Sequence, residues 1–330
     1  MKVSVVIATY NGEDFVTQQL ESIRSQNREP DEVLICDDRS TDNTQRLVSN
    51  FIEKNSLDNW SFMINSENQG YQKNFYNLLK KASGDIIFLS DQDDEWTSDK
   101  IEKMAQIMQH DNSIETLNSG IQLIDQNSDK VALPARKNFY NANFLYSKEP
   151  LRYLNSFSLD DIIKRNISPG CSMCISKNLR DEFVSTYNFE LPHDWFLNMI
   201  ASVDKKCFFL NENLIRYRMH NNNTLGVSEN WGAQSKVNSF ENSRQTKIKE
   251  FEQLLSSLTI ISQRQDIKSA EHLANYLRAR LRFYKKQTLG SLLRLRDYKE
   301  YYQTATFRGQ IWDFLVAFKL KKIIYRLLQM

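Results

Sequence analysis

Several features that would assign a function at once are missing from this chain of 330 residues. No G-x-G-x-x-G follows the first apolar run, which disfavours a dinucleotide-binding fold. No Walker A lysine motif is present, so P-loop phosphate chemistry is set aside. The cysteines are Cys36, Cys171, Cys174 and Cys207. Cys171 and Cys174 form a C-x-x-C, but no second pair follows, and a zinc site would lack half its ligands. Small buried residues in a reducing cytosol are the simpler reading. No apolar run approaches the length needed to cross a bilayer. Met1-Lys2 runs straight into a strand pattern, so no signal peptide is expected. Internal repeats and low-complexity linkers are absent as well. A net charge of +2 gives no reason to expect a nucleic-acid partner.

The distribution of that charge says more. From Arg278 onward there are thirteen basic residues against Asp297, Glu300 and Asp313, a net +10 that leaves −8 for the rest. An acidic body with a basic tail points to an anionic surface as partner. The length suffices for one large domain or two ordinary ones.

Val3 to Ala8 is a short continuous apolar run, as in a strand buried on both faces. Phe15 to Ile23 carries apolar residues at helical spacing. Val33 to Cys36 is a second buried strand ending in Asp37-Asp38. Asp42 to Gln45 reads as a helix N-cap with a side chain reaching back, followed by the apolar face Leu47, Val48, Phe51 and Ile52. Phe62 to Ile64 is a third strand, and Phe75 to Leu79 lies on a third helix. Asp85 to Leu89 is a fourth strand, and the next helix carries Ile101, Met104, Ala105 and Met108 on one face. Four strand–helix alternations predict a mostly parallel sheet covered on both faces. Ligands bind such sheets at the carboxyl ends of the strands. The polar clusters Thr9 to Gly12, Asp37-Asp38, Asn65 to Gly70 and Asp91 to Asp94 sit at those ends and outline one cleft. Residues 111–225 are less regular. From Ser235 the pattern is helical, with Phe251, Leu254, Leu255, Leu258 and Ile261 in period, a second helix over 270–286 and a last one around 311–328.

Asp91-Gln92-Asp93-Asp94 sets three carboxylates in four residues. A hard divalent cation relieves their repulsion, and magnesium commonly shares one or two carboxylates with substrate phosphates. The plain alternative is a solvated acidic turn capping the next helix. Asp37-Asp38 can accept hydrogen bonds from a base or a ribose, although Asp-Asp-Arg-Ser is also good turn sequence.

Thr9-Tyr10-Asn11-Gly12, Asp37-Asp38-Arg39-Ser40-Thr41-Asp42, Asn68-Gln69-Gly70 and Ser90-Asp91-Gln92-Asp93-Asp94-Glu95-Trp96 occur in this order. His193-Asp194-Trp195 and Tyr217-Arg218-Met219-His220-Asn221-Asn222-Asn223 follow. Together they resemble the successive motifs of family-2 glycosyltransferases with the GT-A fold, over about residues 1–225. The Ser90-Asp91-Gln92-Asp93-Asp94-Glu95-Trp96 form followed by the last two motifs resembles the bacterial rhamnosyltransferase branch. The resemblance implies a Rossmann-like α/β domain over 1–230, with 1–110 the nucleotide-binding half and 111–230 the acceptor-binding half. A helical extension, 231–330, follows.

The resemblance also implies roles. Thr9, Asn11 and Asp38 would meet the base and ribose, with Tyr10, Asn68, Gly70 and Lys73 in the same nucleotide-sugar site. Asp91 would lie near the ribose and sugar. Asp93 would bind Mn²⁺ or Mg²⁺, and His220 would approach the metal or diphosphate. Asp194 would be the catalytic base. Its place after Pro192, near a helix start, predicts a low pKa. Arg39 stands where the family often has glycine, with a diphosphate contact as one outcome. Ser168 to Cys171 resembles a glycine turn facing the acceptor, or is a plain turn. Trp96 and Trp195 either stack on sugars or pack in the core.

The implied donor is dTDP-rhamnose, or a UDP-sugar, and the acceptor a glycan or lipid-linked glycan at the inner face of the cell membrane. A nucleotidyltransferase would need a glycine-rich basic loop near the first strand, and Tyr10-Asn11-Gly12-Glu13 is neither. A non-catalytic glycan-binding or scaffold protein is the other rival. The tail has three readings: a hairpin packed on the catalytic domain, peripheral contact with a membrane, or a homodimer interface.

Overall fold

The structure, a computed structural model, describes residues 1–220, 240–264, 268–304, 307–318 and 320. The chain divides into two compact units, Met1–Gln234 and Ser235–Met330.

The first unit opens with alternating strands and helices: β1 (Val3–Thr9), α1 (Val16–Arg24), β2 (Glu32–Asp37), α2 (Thr44–Lys54), β3 (Trp60–Ile64), α3 (Tyr71–Lys81) and β4 (Ile86–Ser90). Then come β5 (Glu95–Trp96), α4 (Lys100–His110), β6 (Thr116–Ile124), β7 (Phe139–Tyr140), β8 (Leu145–Tyr146) and β9 (Leu154–Phe157). The unit closes with α5 (Leu159–Ile162), β10 (Met173–Ser176), α6 (Lys177–Thr186), α7 (His193–Val203) and β11 (Cys207–Arg218). The main sheet runs β3-β2-β1-β4-β10-β6-β11-β5, with β9 also paired to β11.

The expected parallel arrangement holds for β1 to β4. β10 is antiparallel to both β4 and β6, so the whole sheet is mixed. The central strands are apolar on both faces because helices cover both. Val5, Ile7, Ile35 and Ile87 are fully buried, each worth roughly 1.5–3 kcal/mol relative to exposure. Val16, Leu20 and Ile23 of α1 and Val48 and Phe51 of α2 belong to the same core.

Register is what builds the cleft. Thr9 pairs with Asp37, and Ile7 with Ser90, so the polar residues after β1, β2 and β4 emerge side by side. β11 runs parallel to β6 and pairs antiparallel with β5, with Arg216 opposite Glu95. That pairing delivers Arg218 and His220 to the acidic turn between β4 and β5.

One local expectation fails. Asn43, not Asp42, precedes α2, and no side chain caps it. Asp42 instead accepts from the Thr44 backbone N–H and hydroxyl, and the Gln45 amide donates to Asp37 and the Ser40 carbonyl. The buried Asp37 carboxylate is the stronger competitor for that amide.

The second unit is helical: α8 (Phe240–Arg264), α9 (Lys268–Lys286), α10 (Leu289–Arg296), α11 (Lys299–Thr304) and α12 (Phe307–Ala317). α8 packs on α9, burying Leu254, Leu258 and Ile261 on one side and Leu273 and Leu277 on the other. Arg280 and Asp313 form a buried ion pair at 2.8 Å. The last predicted helix is described only to Ala317. Lys319, Lys321, Lys322 and Arg326 lie outside the described residues. No helix of the described residues is long and apolar enough to cross a membrane.

Candidate active site

A cleft of about 700 Å³ opens at the carboxyl ends of β1, β2 and β4. Thr9, Tyr10, Asn11, Asp38, Asn68, Gly70, Asp91, Asp93, Asp194 and His220 all line it. Residues dispersed over more than two hundred positions thus share one cavity. Lys73 does not join them: it stands exposed on α3, outside the lining. Asn221, Asn222 and Asn223 lie outside the described residues.

Asp37, at the end of β2, and Asp38 after it organise one side of the cleft. Asp37 is fully buried and accepts from the hydroxyls of Thr9 and Ser40 and from the Ser40 N–H. Asp38 accepts from the backbone N–H groups of Gln69 and Gly70 at 2.8 and 2.7 Å, and from the Asn65 amide. Its charge fixes the Asn68-Gln69-Gly70 loop against the sheet. Gly70 sits at φ +81°, a conformation that a side chain would strain. Arg39 adopts φ +68°, which explains why glycine suits this position in the resembling family. The turn tolerates arginine because Asp37 clamps the residues that follow it.

Asn11 accepts from the Thr41 N–H, tying the first loop to the second. Gln92 ties it to the acidic turn, accepting from the Tyr10 N–H and donating to the Tyr10 carbonyl. A Cβ on Gly12 would lie 2.3 Å from the Gln92 side-chain oxygen, so a larger residue there would push the Gln92 amide off Tyr10. Sequence reasoning passed over Gln92 because a glutamine among three aspartates carries no charge signal.

The acidic turn presents its three carboxylates differently. Asp93 is partly exposed, and its Oδ2 lies 2.8 Å from His220 Nε2. His220 also packs on Phe15. Burial, with Asp93, Asp94 and Asp194 nearby, raises the Asp91 carboxyl well above the usual range. Asp94 is buried, accepts from the Arg218 N–H, and is raised by burial and by Asp93.

Arg218 organises the turn from behind. Its buried guanidinium donates to the Asp93 carbonyl, the Glu95 carboxylate and the Asp125 carbonyl, and its charge lies over the Phe15 ring. Lys100, fully buried, donates to the Cys171 carbonyl and lies 4.0 Å from the Trp96 ring centre. Burial lowers its pKa to about 7. Neither residue was a site candidate from sequence, since Arg and Lys are common on surfaces and only the fold buries these two.

Two donor sets can be weighed for a cation. Asp91, Asp94 and Cys171 offer atoms within 4.8 Å of one another. The Cys171 thiol is pushed far up by burial and by Asp94, so it stays protonated and suits no hard cation. Asp93 and His220 offer an oxygen and a nitrogen together in the cleft, and these two would be the ligands of a divalent cation such as Mn²⁺.

Asp194 lines the same cleft from the first turn of α7. It accepts from the Trp195 N–H and the Asn166 amide, both at 2.8 Å. The expectation of a low pKa is overturned. Burial raises it to about 6, outweighing the hydrogen bonds and the helix start. Pro169 and Gly170 of the glycine turn line the same cleft. Burial lowers the adjacent His193 to about 3, so its ring is neutral, stacked 4.1 Å from Phe75. Among the described residues neither tryptophan lines the cleft. Trp96 is core, and the Trp195 indole donates to the Ile162 carbonyl.

Comparison with known proteins agrees with this geometry. Residues 4–179 match the sequence profile of "Glycosyl transferase family 2". The chain is 29% identical over 247 residues to the dTDP-rhamnosyl transferase RfbG of Shigella flexneri, covering 70% of this chain and 77% of that protein. It is 27% identical over 238 residues to the putative teichuronic acid biosynthesis glycosyltransferase TuaG of Bacillus subtilis, covering 71% and 85%. The crystal structure of S. aureus TarS 1-349 in complex with UDP superposes with a TM-score of 0.55 at 19% identity, over 92% of this chain and 91% of that one. That likeness shows the GT-A fold. The profile spans more than half of the sequence and the cleft assembles its motifs, so this chain belongs to glycosyl transferase family 2.

Proposed function

We propose that this glycosyltransferase transfers L-rhamnose from dTDP-β-L-rhamnose, with inversion, to a growing lipid-linked polysaccharide of the cell surface. The observation that carries the reading is that Asp194 and the Asp93–His220 pair line one cleft together with the loops after β1 and β2. The similarity to RfbG favours rhamnose as the donor sugar, and that to TuaG favours a surface polysaccharide as the product.

In this reading the loops after β1 and β2 hold base and ribose. Asp194 accepts the proton of the acceptor hydroxyl as that oxygen attacks the anomeric carbon. A carboxylate with a pKa near 6 is ionised at neutral pH and more basic than an ordinary aspartate, which suits a general base. With Asp194 as the one base, attack by the acceptor hydroxyl is a single displacement, hence an α-linked product from the β-linked donor. Asp93 and His220 would hold Mn²⁺ or Mg²⁺, which supplies Lewis-acid stabilisation of the diphosphate leaving group when bound. Pro169 and Gly170 bound the acceptor side beside Asp194.

The helical unit supports contact with a membrane that carries such acceptors. Leu289 and Leu293 on α10, and Ile311 and Phe314 on α12, are exposed, with Arg294 and Arg296 beside them. Apolar side chains flanked by arginines suit an anionic lipid surface.

Calorimetric titration of dTDP, UDP and GDP, with and without Mn²⁺, tests the central reading. Metal-dependent binding of dTDP, lost in Asp93→Ala, is the expected result. Preference for UDP would move the donor to a UDP-hexose. Binding of none of them would leave a non-catalytic scaffold.

A further inference from the structure

Asp194 is held by a chain of side-chain amides whose direction is fixed at both ends. The Asn118 amide nitrogen on β6 donates to the Phe208 carbonyl at 3.2 Å and to Asn198 Oδ1 at 2.9 Å. A carbonyl can only accept, so Asn118 must face it with nitrogen. The Cys207 thiol also points to Asn198 Oδ1. Asn198 therefore turns its nitrogen to Asn166 Oδ1, at 3.0 Å. The Ile167 backbone N–H, which can only donate, points at that same oxygen. Asn166 is left with its nitrogen toward Asp194 Oδ2, at 2.8 Å. Asn198 lies one helical turn after Asp194 on α7, on the same face. Asn118 and Asn198 are fully buried and Asn166 is half-buried, so the two amides that orient Asn166 are shielded from water.

We propose that Asn166 is a positioning residue for the base: oriented by Asn198 and Asn118, it presents only a donor to Asp194 and thereby fixes its rotamer and favours its ionised form. This rests on the reading of Asp194 as the base. The relay acts against a set of groups that oppose ionisation. Asp91 from the acidic turn and the Tyr71 and Tyr187 hydroxyls, from α3 and the end of α6, face Asp194, and neutral His193 adjoins it. None of them supplies a positive charge. The donors are Asn166 and the backbone N–H groups of Trp195 and Gly170. Loss of a donor to the charged form raises a carboxyl pKa.

The test is carbon-13 NMR of protein labelled at the aspartate side-chain carboxyl, titrated with pH. The Asp194 resonance is assigned by its loss in Asp194→Asn. In Asn166→Leu its midpoint rises by about one unit, the size of one hydrogen bond to a charged group. In Asn198→Leu, which leaves the Asn166–Asp194 bond but frees the amide to rotate, the shift has the same sign and is smaller. The acid limb of turnover with dTDP-rhamnose moves in parallel. An unchanged midpoint in folded Asn166→Leu overturns the proposal. If Asn166→Leu fails to fold, Asn198→Leu decides: an unchanged midpoint there overturns the relay. Full turnover by Asp194→Asn would instead remove the base assignment, so the two failures are distinct.

Discussion

His220 Nε2 lies 2.8 Å from Asp93 Oδ2, joining the histidine of the downstream motif to the middle carboxylate of the acidic turn. The two are 127 positions apart, and the β5–β11 pairing brings them together. Asp93→Ala should abolish metal-dependent nucleotide binding and lower kcat/KM by ~10³-fold, since metal stabilisation of a leaving group is worth several kcal/mol. His220→Ala should weaken the metal dependence less, by about 10–100-fold. Calorimetry with and without Mn²⁺ reads both. Metal-dependent binding that survives in Asp93→Ala would show that another group holds the ion.

Asp194→Asn should lower kcat by about 10²–10⁴-fold while dTDP binding is retained. In the wild type, turnover should rise with pH through about 6, the pKa to which burial raises Asp194. An acid limb near 4, where ordinary aspartates titrate, would contradict the buried environment. The same group should make the fold less stable at neutral pH than in mild acid. The folded state holds the Asp194 proton more tightly than the unfolded chain, so this group favours folding below its unfolded pKa. That contribution is lost as pH rises through about 6. At neutral pH the buried charge therefore costs roughly 1–3 kcal/mol, which Asp194→Asn removes while setting its new amide nitrogen against the Trp195 or Asn166 donor. Thermal melts at pH 7.5 and pH 4 test this: the difference between wild type and Asp194→Asn should move in favour of the wild type at the lower pH.

Arg218→Met should be strongly destabilising. It would take one donor from Glu95, which keeps Arg216 and Ser128, and leave the carbonyls of Asp93 and Asp125 without their buried guanidinium donor. Leaving buried acceptors unpaired costs about 1–3 kcal/mol each. Urea unfolding measures it, and a loss below ~1 kcal/mol would mean that the turn is held by other contacts.

Arg39→Gly should raise stability by roughly 0.5–1 kcal/mol, because φ +68° strains any residue with a Cβ. If nucleotide affinity falls at the same time, the arginine also meets the diphosphate. A loss of stability would show that its side chain has packing that outweighs the strain.

Vesicles containing phosphatidylglycerol should sediment the protein, and phosphatidylcholine alone should not. Salt should weaken the binding. Leu293→Glu with Phe314→Glu should abolish it at unchanged catalytic melting temperature, as both side chains are exposed on the helical unit. Dimerisation that is lost in the same variant, with no lipid binding in the wild type, would assign this face to a second copy instead.

The alternation of strands and helices, the parallel β1–β4 sheet and the cleft at its carboxyl edge were legible in the sequence. Doubly buried strands need continuous apolar runs, and loops at strand ends need polar residues, so both leave local signals. Asp37-Asp38 and the acidic turn were legible for the same reason. What the tertiary structure decided was how the carboxylates differ. Asp93 is partly exposed beside His220, Asp94 is buried under Arg218, and Asp194 is raised rather than lowered. Those properties depend on desolvation and on partners a hundred residues away, which no local pattern encodes. Arg218, Lys100, Gln92 and the Asn118–Asn198–Asn166 relay were hidden for the same physical reason: ordinary polar residues become site residues only when the fold buries them and limits what they can bond.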